Sequence, residues 1–446
     1  MTAKLFFILA FTLLIFFPLQ AMDAQSQTQG GETPRLSLKN ALELSLKNSA
    51  RVSIGKQKVI EKASLRLGSR SSFLPRLSLN VSGMDATRNL KAQGVSFPGA
   101  PDKVGPFSTF DARLTFNETL LNLSLLNQVY AAGEETRVAE LELSQAESDL
   151  LYQTTVLFLN TRRNESAVQA DQANVDLSKE LLKFAEHQKS SGIGTILDVT
   201  RARVKLAEDR QRLITTLTQK SDAILALQKQ IGVQQGENLS LDGHDLTGQD
   251  FPELKESVQT ALLKRKEVAI QSQKERVKEI QFKAASGEKY PSINLFADYG
   301  EIGNGVTDAF PTHTFGITLN LPLYDGQSRK AKEDAVMSQL RQEQFKTRES
   351  ASQIELEVRQ IYNDLNAVRK QLEVVKERLS LAEKELLLAQ HRFENGIGTH
   401  IELVTTQTSL TEAREALVEA QFQVQGGIVK YYYVTGQMEY FFSQLP

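Results

Sequence analysis

The feature that most constrains this chain is an internal duplication. Gly192-Ile193-Gly194-Thr195 recurs as Gly396-Ile397-Gly398-Thr399, an offset of 396 − 192 = 204. Each copy carries an acidic residue three positions after the threonine, Asp198 and Glu402, and then an Ala-, Leu- and Glu-containing stretch. A second anchor pairs Leu74-Pro75-Arg76-Leu77-Ser78-Leu79-Asn80-Val81 with Tyr290-Pro291-Ser292-Ile293-Asn294-Leu295-Phe296-Ala297, at 291 − 75 = 216. A third sets Leu114-Thr115-Phe116-Asn117 against Ile317-Thr318-Leu319-Asn320, at 317 − 114 = 203. Three ordered anchors define two tandem copies of one structural unit. The fall in offset places about a dozen extra residues in the first copy, within the Pro- and Gly-containing segment 84–107, which reads as a long loop.

Proline placement separates helix from strand. Residues 107–251 and 323–445 contain no proline, and an interior proline costs a helix about 3 kcal/mol. Long helices therefore belong in these two stretches. In the second, Ile354, Val358, Ile361, Leu365, Val368, Leu372, Val375, Leu379, Ala382, Leu386, Ala389 and Phe393 step alternately by four and three. That is a heptad seam of the coiled-coil kind. In the first copy Val168, Val175, Leu182 and Ala185 keep the seam, while Thr161, Asn164 and Asp171 interrupt it. A continuous helix from Leu120 to Gln188 would be about 100 Å long at 1.5 Å per residue. Gly-x-Gly permits a chain reversal, and Thr195 or Thr399 can cap the returning helix. Each copy thus predicts a long helical hairpin with Gly-x-Gly-Thr at its tip.

The remaining anchors alternate with period two. Leu77, Leu79 and Val81 face away from Ser78, Asn80 and Ser82, and Ala112, Leu114 and Phe116 away from Asp111, Arg113, Thr115 and Asn117. Ile293, Leu295, Ala297 and Tyr299 alternate with Ser292, Asn294 and Asp298, with Phe296 as the exception; Ile317, Leu319, Leu321 and Leu323 alternate with Thr318 and Asn320. A half-buried soluble sheet has this period. So does a membrane strand of about 10 residues, apolar outward and polar inward.

The N-terminus favours the second reading. A basic start precedes the apolar run Leu5 to Phe17, then Pro18 and the small-residue sites at Ala21 and Ala24, so residues 1–24 read as a secretory signal. No later run approaches the roughly 20 apolar residues of a spanning helix. An exported chain that enters a membrane must then do so with strands. Four strands cannot close, an open edge is not tolerated in hydrocarbon, and small barrels need about eight strands. Closure therefore requires at least two chains.

Other function classes find little support. The chain has no cysteine, hence no disulfide framework, thiol nucleophile or lipid-anchored N-terminal cysteine. Its 52 basic and 54 acidic residues give no basic surface for nucleic acid. The histidines His187, His244, His313, His391 and His400 share no metal-ligand spacing, and no Ser/His/Asp set or phosphate loop is recognisable. No catalytic residue, metal or cofactor is expected.

The sequence resembles the TolC-type outer-membrane efflux proteins. The resemblance rests on LKNALELSLKNSARV and its counterpart from Glu253 to Val268, on FLPRLSLNVSG and KYPSINLFADYG, on LNLPLYDGQ, and on GIGTILDVTRARVKLAEDRQRL with GIGTHIELVTTQTSLTEAREAL. It spans about Leu36 to Gly436 and divides the chain into a first repeat at 36–233, a linker at 234–251 and a second repeat at 252–438. It implies an α+β membrane protein: a homotrimer with a 12-stranded transmembrane β-barrel, four strands per chain, in outer-membrane lipid. A long periplasmic α-helical barrel of coiled-coil hairpins continues it. It also implies passage of substrates delivered by an inner-membrane pump of the RND, ABC or MFS type through a periplasmic adaptor, in efflux or type I secretion. The segment Phe116-Asn117-Glu118-Thr119-Leu120-Leu121-Asn122 departs from the pattern. It lacks the proline and Asp-Gly present at Pro322 and Asp325-Gly326, which leaves the end of the second strand open.

The resemblance also assigns roles to the tips. Asp198 and Glu402 match acidic positions near the constricted periplasmic entrance, where rings of carboxylates favour cations. The plainer alternative is a carboxylate in the first turn of a helix, stabilised by the helix dipole. A second acidic residue one turn on is replaced by Arg201 and Thr405, so a weak cation trap is expected. Gly192, Gly194, Thr195, Gly396, Gly398 and Thr399 would form the reversals and meet the adaptor. Tyr431, Tyr432, Tyr433, Tyr440, Phe441 and Phe442 are either an aromatic membrane belt or, as the favoured reading, packing for a final helix. Two rival readings remain, a periplasmic adaptor and a coiled-coil tether of the envelope. An adaptor should have one hairpin between soluble β modules, and a tether has no need of alternating strands.

Overall fold

The computed structural model describes residues 35–94, 98–99, 101–234, 239–243, 251–395 and 397–446. The expected signal segment, most of the linker and Gly396 lie outside these residues. The first copy runs β1 (Arg35–Leu36), α1 (Leu38–Asn48), α2 (Ala50–Arg70), β2 (Arg76–Asn89), β3 (Lys103–Leu121), α3 (Leu123–Ser190) and α4 (Ile196–Ile231). After β4 (Ser240–Leu241) the order repeats as α5 (Leu254–Lys264), α6 (Lys266–Gly287), β5 (Ser292–Gly303), β6 (Phe310–Asn320), α7 (Ser328–Glu394) and α8 (His400–Val434), closed by α9 (Met438–Ser443).

The long helices are α3, 68 residues, and α7, 67 residues. The heptad seam of α7 is its buried stripe: Ile354, Val358, Ile361, Leu365, Leu372, Val375, Ala382, Leu386 and Ala389 are all buried. Burying each large aliphatic side chain contributes about 1.5–3 kcal/mol, so this stripe fixes the hairpin. In α3 the seam runs through polar residues. Thr161, Asn164 and Asp171, which looked like interruptions, are as buried as Val175, Leu181 and Ala185. Thr161 Oγ1 reaches the Ala223 carbonyl of α4 at 3.3 Å, and Asp171 Oδ2 accepts from Thr216 Oγ1 of α4 at 2.6 Å.

The returning helices are half as long, 36 residues for α4 and 35 for α8. Shorter helices cover the rest of α3 and α7. Towards the tips α3 lies between α4 and α8, and α7 beside α8; towards the sheet α3 lies between α2 and α6, and α7 beside α6. The short helices meet end to end. Asn48, ending α1 just before α2, donates from Nδ2 to the Ile231 carbonyl at the end of α4, at 2.9 Å. In the second copy Gly436, just past α8, lies against the backbone of Arg265, which precedes α6. Both copies therefore stack a returning helix on the helix that entered the sheet. At this level Leu42, Phe158, Leu227, Ile231, Ala261, Val358, Ile428 and Met438 form the main core.

The C-terminal aromatics other than the exposed Tyr440 belong to or pack on that core. Tyr431 and Phe441 are buried, the Tyr431 hydroxyl lies 2.8 Å from Ser257 Oγ, and Tyr433 stacks on Tyr152 with centroids 4.4 Å apart. Burial, then the neighbouring Asp149 carboxylate that accepts its hydroxyl at 3.0 Å, pushes the Tyr433 phenol well above its usual range. Packing of the final helix accounts for this cluster.

The four longer strands form one antiparallel sheet in the order β2-β3-β5-β6. Segment 84–107 is not simply a loop. Strands β2 and β3 continue to pair through it, Ala86 with Phe107 and Asn89 with Lys103, across a register shift. The extra residues of the first copy thus lengthen its strand hairpin. The end of β3 is also defined: the strand reaches Leu121, and Asn122 caps α3 by accepting from the Leu125 N–H at 3.0 Å. The second copy ends its strand at Asn320 and passes Pro322 and Asp325-Gly326 before α7.

Candidate functional site

The sheet has two chemically distinct faces. Leu79, Leu114, Tyr299 and His313 are aligned across all four strands, and nearby rows hold Leu77, Val81, Phe116, Phe315, Ile317 and Leu319, with Glu301 beside Ala112 and Glu118 beside Leu295 as charged exceptions. This face is bare in the single chain, with Leu79 69% and Phe315 70% exposed. The other face carries Ser78, Asn80, Arg113, Thr115, Asn294, Asp298 and Thr312. Arg113 organises it, donating to Asp298, to Asp111 Oδ1 at 3.2 Å and to Thr312 Oγ1 at 3.3 Å. Phe296 breaks the alternation for a local reason. It shares the polar face with Asn294 and Asp298, opposite Gly316, where even a Cβ would come within 2.5 Å of the ring.

So largely apolar a face favours lipid or protein as its neighbour, and both outer strands, β2 and β6, lack a second partner strand among the described residues. No helix among the described residues is long and apolar enough to cross a membrane.

At the far end of α3 and α7 lie the tips. After Ser190 the chain reverses through Gly192 at φ +77°, and the Ile193 and Gly194 N–H groups both donate to the Gln188 carbonyl, at 3.0 and 2.9 Å. In the second copy the Ile397 and Gly398 N–H groups converge on the Arg392 carbonyl at 2.9 and 2.8 Å. A Cβ at Gly398 would sit 2.9 Å from the Phe393 nitrogen, so the chain passes too close to its own helix for any side chain. The reversals predicted at Gly192, Gly194, Thr195, Gly398 and Thr399 are present. Gly396 lies outside the described residues.

The two acidic tip residues are held differently. Asp198 closes a capping box: its N–H donates to Thr195 Oγ1 at 3.2 Å, and Oδ2 accepts the Thr195 N–H at 3.0 Å and hydroxyl at 2.6 Å. Partial burial pushes the Asp198 carboxyl up. The Thr195 bonds and the charges of His400 and Arg201 outweigh it and hold the carboxyl below its usual range. Glu402 also donates its N–H to the capping Thr399, at 3.2 Å, but its carboxylate turns away and accepts from Arg392 Nε at 3.1 Å.

Sequence reasoning missed two tip residues. Arg392 carries no signal except its position ten residues before Glu402. His400 was set aside as one of five scattered histidines. It is 5% exposed, its ring packs edge-on against Phe393 at 5.7 Å, and Nδ1 has no hydrogen-bond partner among the described residues. Phe393 in turn meets Phe184 of α3 at 5.7 Å. Burial, reinforced by Arg201 and opposed by Asp198, lowers the His400 pKa. Phe393, with His400 packed on it, thus joins the second hairpin to the first.

A buried polar layer ties the hairpins together a few turns from the tips. Ser178 of α3 donates to Asp209 of α4 and accepts from Gln407 of α8. Lys205 Nζ lies 3.1 Å from Asp209 Oδ1, with side-chain exposures of only 7% and 1%. Arg414 of α8 donates to Asn174 Oδ1 of α3 at 2.8 Å, and Arg212 of α4 pairs with Glu415 of α8.

A strand sheet with one lipid-compatible face, carrying long paired helical hairpins in two copies, defines an outer-membrane channel subunit with a periplasmic helical part. The family model of the outer membrane efflux proteins matches residues 62–233 and 257–429, and the chain belongs to that family. Solved structures agree in fold. The outer membrane protein VceC of Vibrio cholerae superposes with a TM-score of 0.78 at 16% identity, covering 90% of this chain and 96% of its own. The CmeC outer membrane channel of Campylobacter jejuni gives 0.79 at 15% identity over 90% and 85%. CusC, described for transmembrane channel formation, gives 0.81 at 16% identity over 92% and 95%. A search of curated protein sequences finds no match. With two copies that each hold a strand pair and a long helical hairpin, the chain has neither the single hairpin of an adaptor nor the strandless build of a tether.

Proposed function

We propose that three copies of this chain close a 12-stranded barrel in the outer membrane and form the exit duct of a tripartite efflux or type I secretion system. The observation that carries this reading is the four-stranded sheet, apolar on one face, polar on the other and open at both edges. An open edge in hydrocarbon leaves backbone groups unsatisfied at several kcal/mol each. Copies related by rotation about the barrel axis join β6 of one to β2 of the next, which leaves no edge. The Arg113 face then lines the pore and the Leu79 face meets lipid.

The helices extend the duct into the periplasm. Four helical segments stand side by side at each level of one chain, α2, α3, α6 and α7 near the sheet and α4, α3, α8 and α7 near the tips; three chains supply twelve. The tips, at Gly192–Thr195 and Gly398–Thr399, are the surface that meets a periplasmic adaptor, which couples the duct to an inner-membrane pump of the RND, ABC or MFS class. The duct gives passive passage and the pump selects the cargo. Cells lacking this chain should retain a fluorescent pump substrate and regain export when it is restored. Unchanged export in its absence, with no second duct expressed, would refute the assignment.

A further inference from the structure

The acidic tip residues invite the reading of an open carboxylate ring, and the local geometry argues otherwise. The two copies solve the same cap with different chemistry. In the first, Asp198 folds back on Thr195, and the residue ten positions earlier is Gln188. In the second, the longer Glu402 side chain leaves the cap, and the residue ten positions earlier is Arg392, whose Nε it meets at 3.1 Å. The surrounding charges are also balanced. Residues 186–203 and 391–402 hold four acidic side chains (Glu186, Asp198, Glu394, Glu402) and four basic ones (Lys189, Arg201, Arg203, Arg392), so 4 − 4 = 0 with histidines neutral.

We propose that Arg392 sets the ionic preference of the duct entrance by holding Glu402 in an ion pair, so that the mouth is nearly neutral and open to anionic cargo. This deepens the channel reading and rests on it. The reasoning is electrostatic. Rings of unpaired carboxylates attract cations and repel anions. A guanidinium against each carboxylate turns each negative charge into a short dipole, whose field falls off faster with distance than that of a charge. The pair need not be strong to do this. Both side chains are about half exposed, 53% for Arg392 and 39% for Glu402, and exposed pairs contribute little stability. Loss of Arg392 should therefore leave the fold intact and change the field.

The test is single-channel recording of the full chain in planar bilayers at low salt, where screening is weakest. The readouts are the K+/Cl− permeability ratio and block by La3+ added on the tip side. Wild type is expected to show weak selectivity and weak block. Arg392→Gln should raise cation preference and lower the blocking La3+ concentration about tenfold or more, as expected for three unmasked charges acting on a trivalent ion. Glu402→Gln should shift the preference towards anions. Arg392→Lys and the Arg392→Gln/Glu402→Gln double variant, both with the local charge still balanced, should resemble wild type. Arg392→Gln channels with wild-type selectivity and block would overturn the proposal. So would a wild type that La3+ already blocks as tightly as Arg392→Gln. A wild type that forms no conductance would overturn the channel reading, and the proposal with it.

Discussion

The Asn48 side chain donates to the Ile231 carbonyl across 2.9 Å, joining the end of α4 to the start of α2 although 183 residues separate them. A helix C-terminus leaves carbonyls without intrahelical partners, and this bond satisfies one at the stack. With the Gly436–Arg265 contact of the second copy, it makes two short helices act as one long element. The layer of helices in one chain is thereby kept four wide from the sheet to the tips. Replacing Asn48 with Ala should cost about 0.5–1.5 kcal/mol, read as a lower denaturant midpoint at unchanged slope.

The Ser178–Asp209–Lys205–Gln407 layer predicts a larger effect. Asp209→Ala strands a buried lysine, and breaking a buried pair typically costs about 3–5 kcal/mol. Converting both partners, Lys205→Met with Asp209→Leu, should recover most of that loss. Thermal unfolding of the two variants checks the ordering; equal losses would show that the stranded lysine is not the cause of the Asp209→Ala loss.

His400 gives the tip a pH dependence. Its folded pKa lies below the ordinary value of about 6.5, so the unfolded chain binds the proton first. The neutral, buried form therefore carries no penalty above that value, and stability falls as pH drops from there towards the depressed folded pKa. Asp198 and Arg201 face it from the first tip, and Phe393 packs on it. Hydrogen-exchange protection at residues 391–405, after correction for the pH dependence of intrinsic exchange, should fall as pH drops below about 6.5. His400→Gln should remove that loss of protection.

The faces of the sheet can be separated by one charge. If the Leu79 face meets lipid as proposed, Leu79→Lys puts an ammonium there, at about 2–4 kcal/mol near the bilayer midplane. Ser82→Lys, on the polar face opposite Asp111, should be accepted. Assembled oligomer in outer-membrane fractions should fall for the first variant and persist for the second.

The sequence made the repeats, the α7 seam and the tip reversals legible because each depends on local periodicity or on a short motif. The stacked junctions were not legible, since Asn48 and Ile231 lie far apart in the chain and neither is unusual. Thr161, Asn164 and Asp171 read as breaks in a seam because hydrophobic periodicity ignores polar partners such as Thr216 on a neighbouring helix. Phe296 broke the alternation because its position depends on Gly316 across the strand pair. At the tips, the spacing put Asp198 and Glu402 in equivalent places. It could not show that one side chain folds onto its cap while the other reaches Arg392.

The central claim, that this sheet is a third of a barrel, is tested most directly by the mass of the intact assembly. Native mass spectrometry of protein released from outer membranes in detergent should give three times the mass of the single chain measured after denaturation. A species of one or two chains, with the sheet still folded, would contradict it.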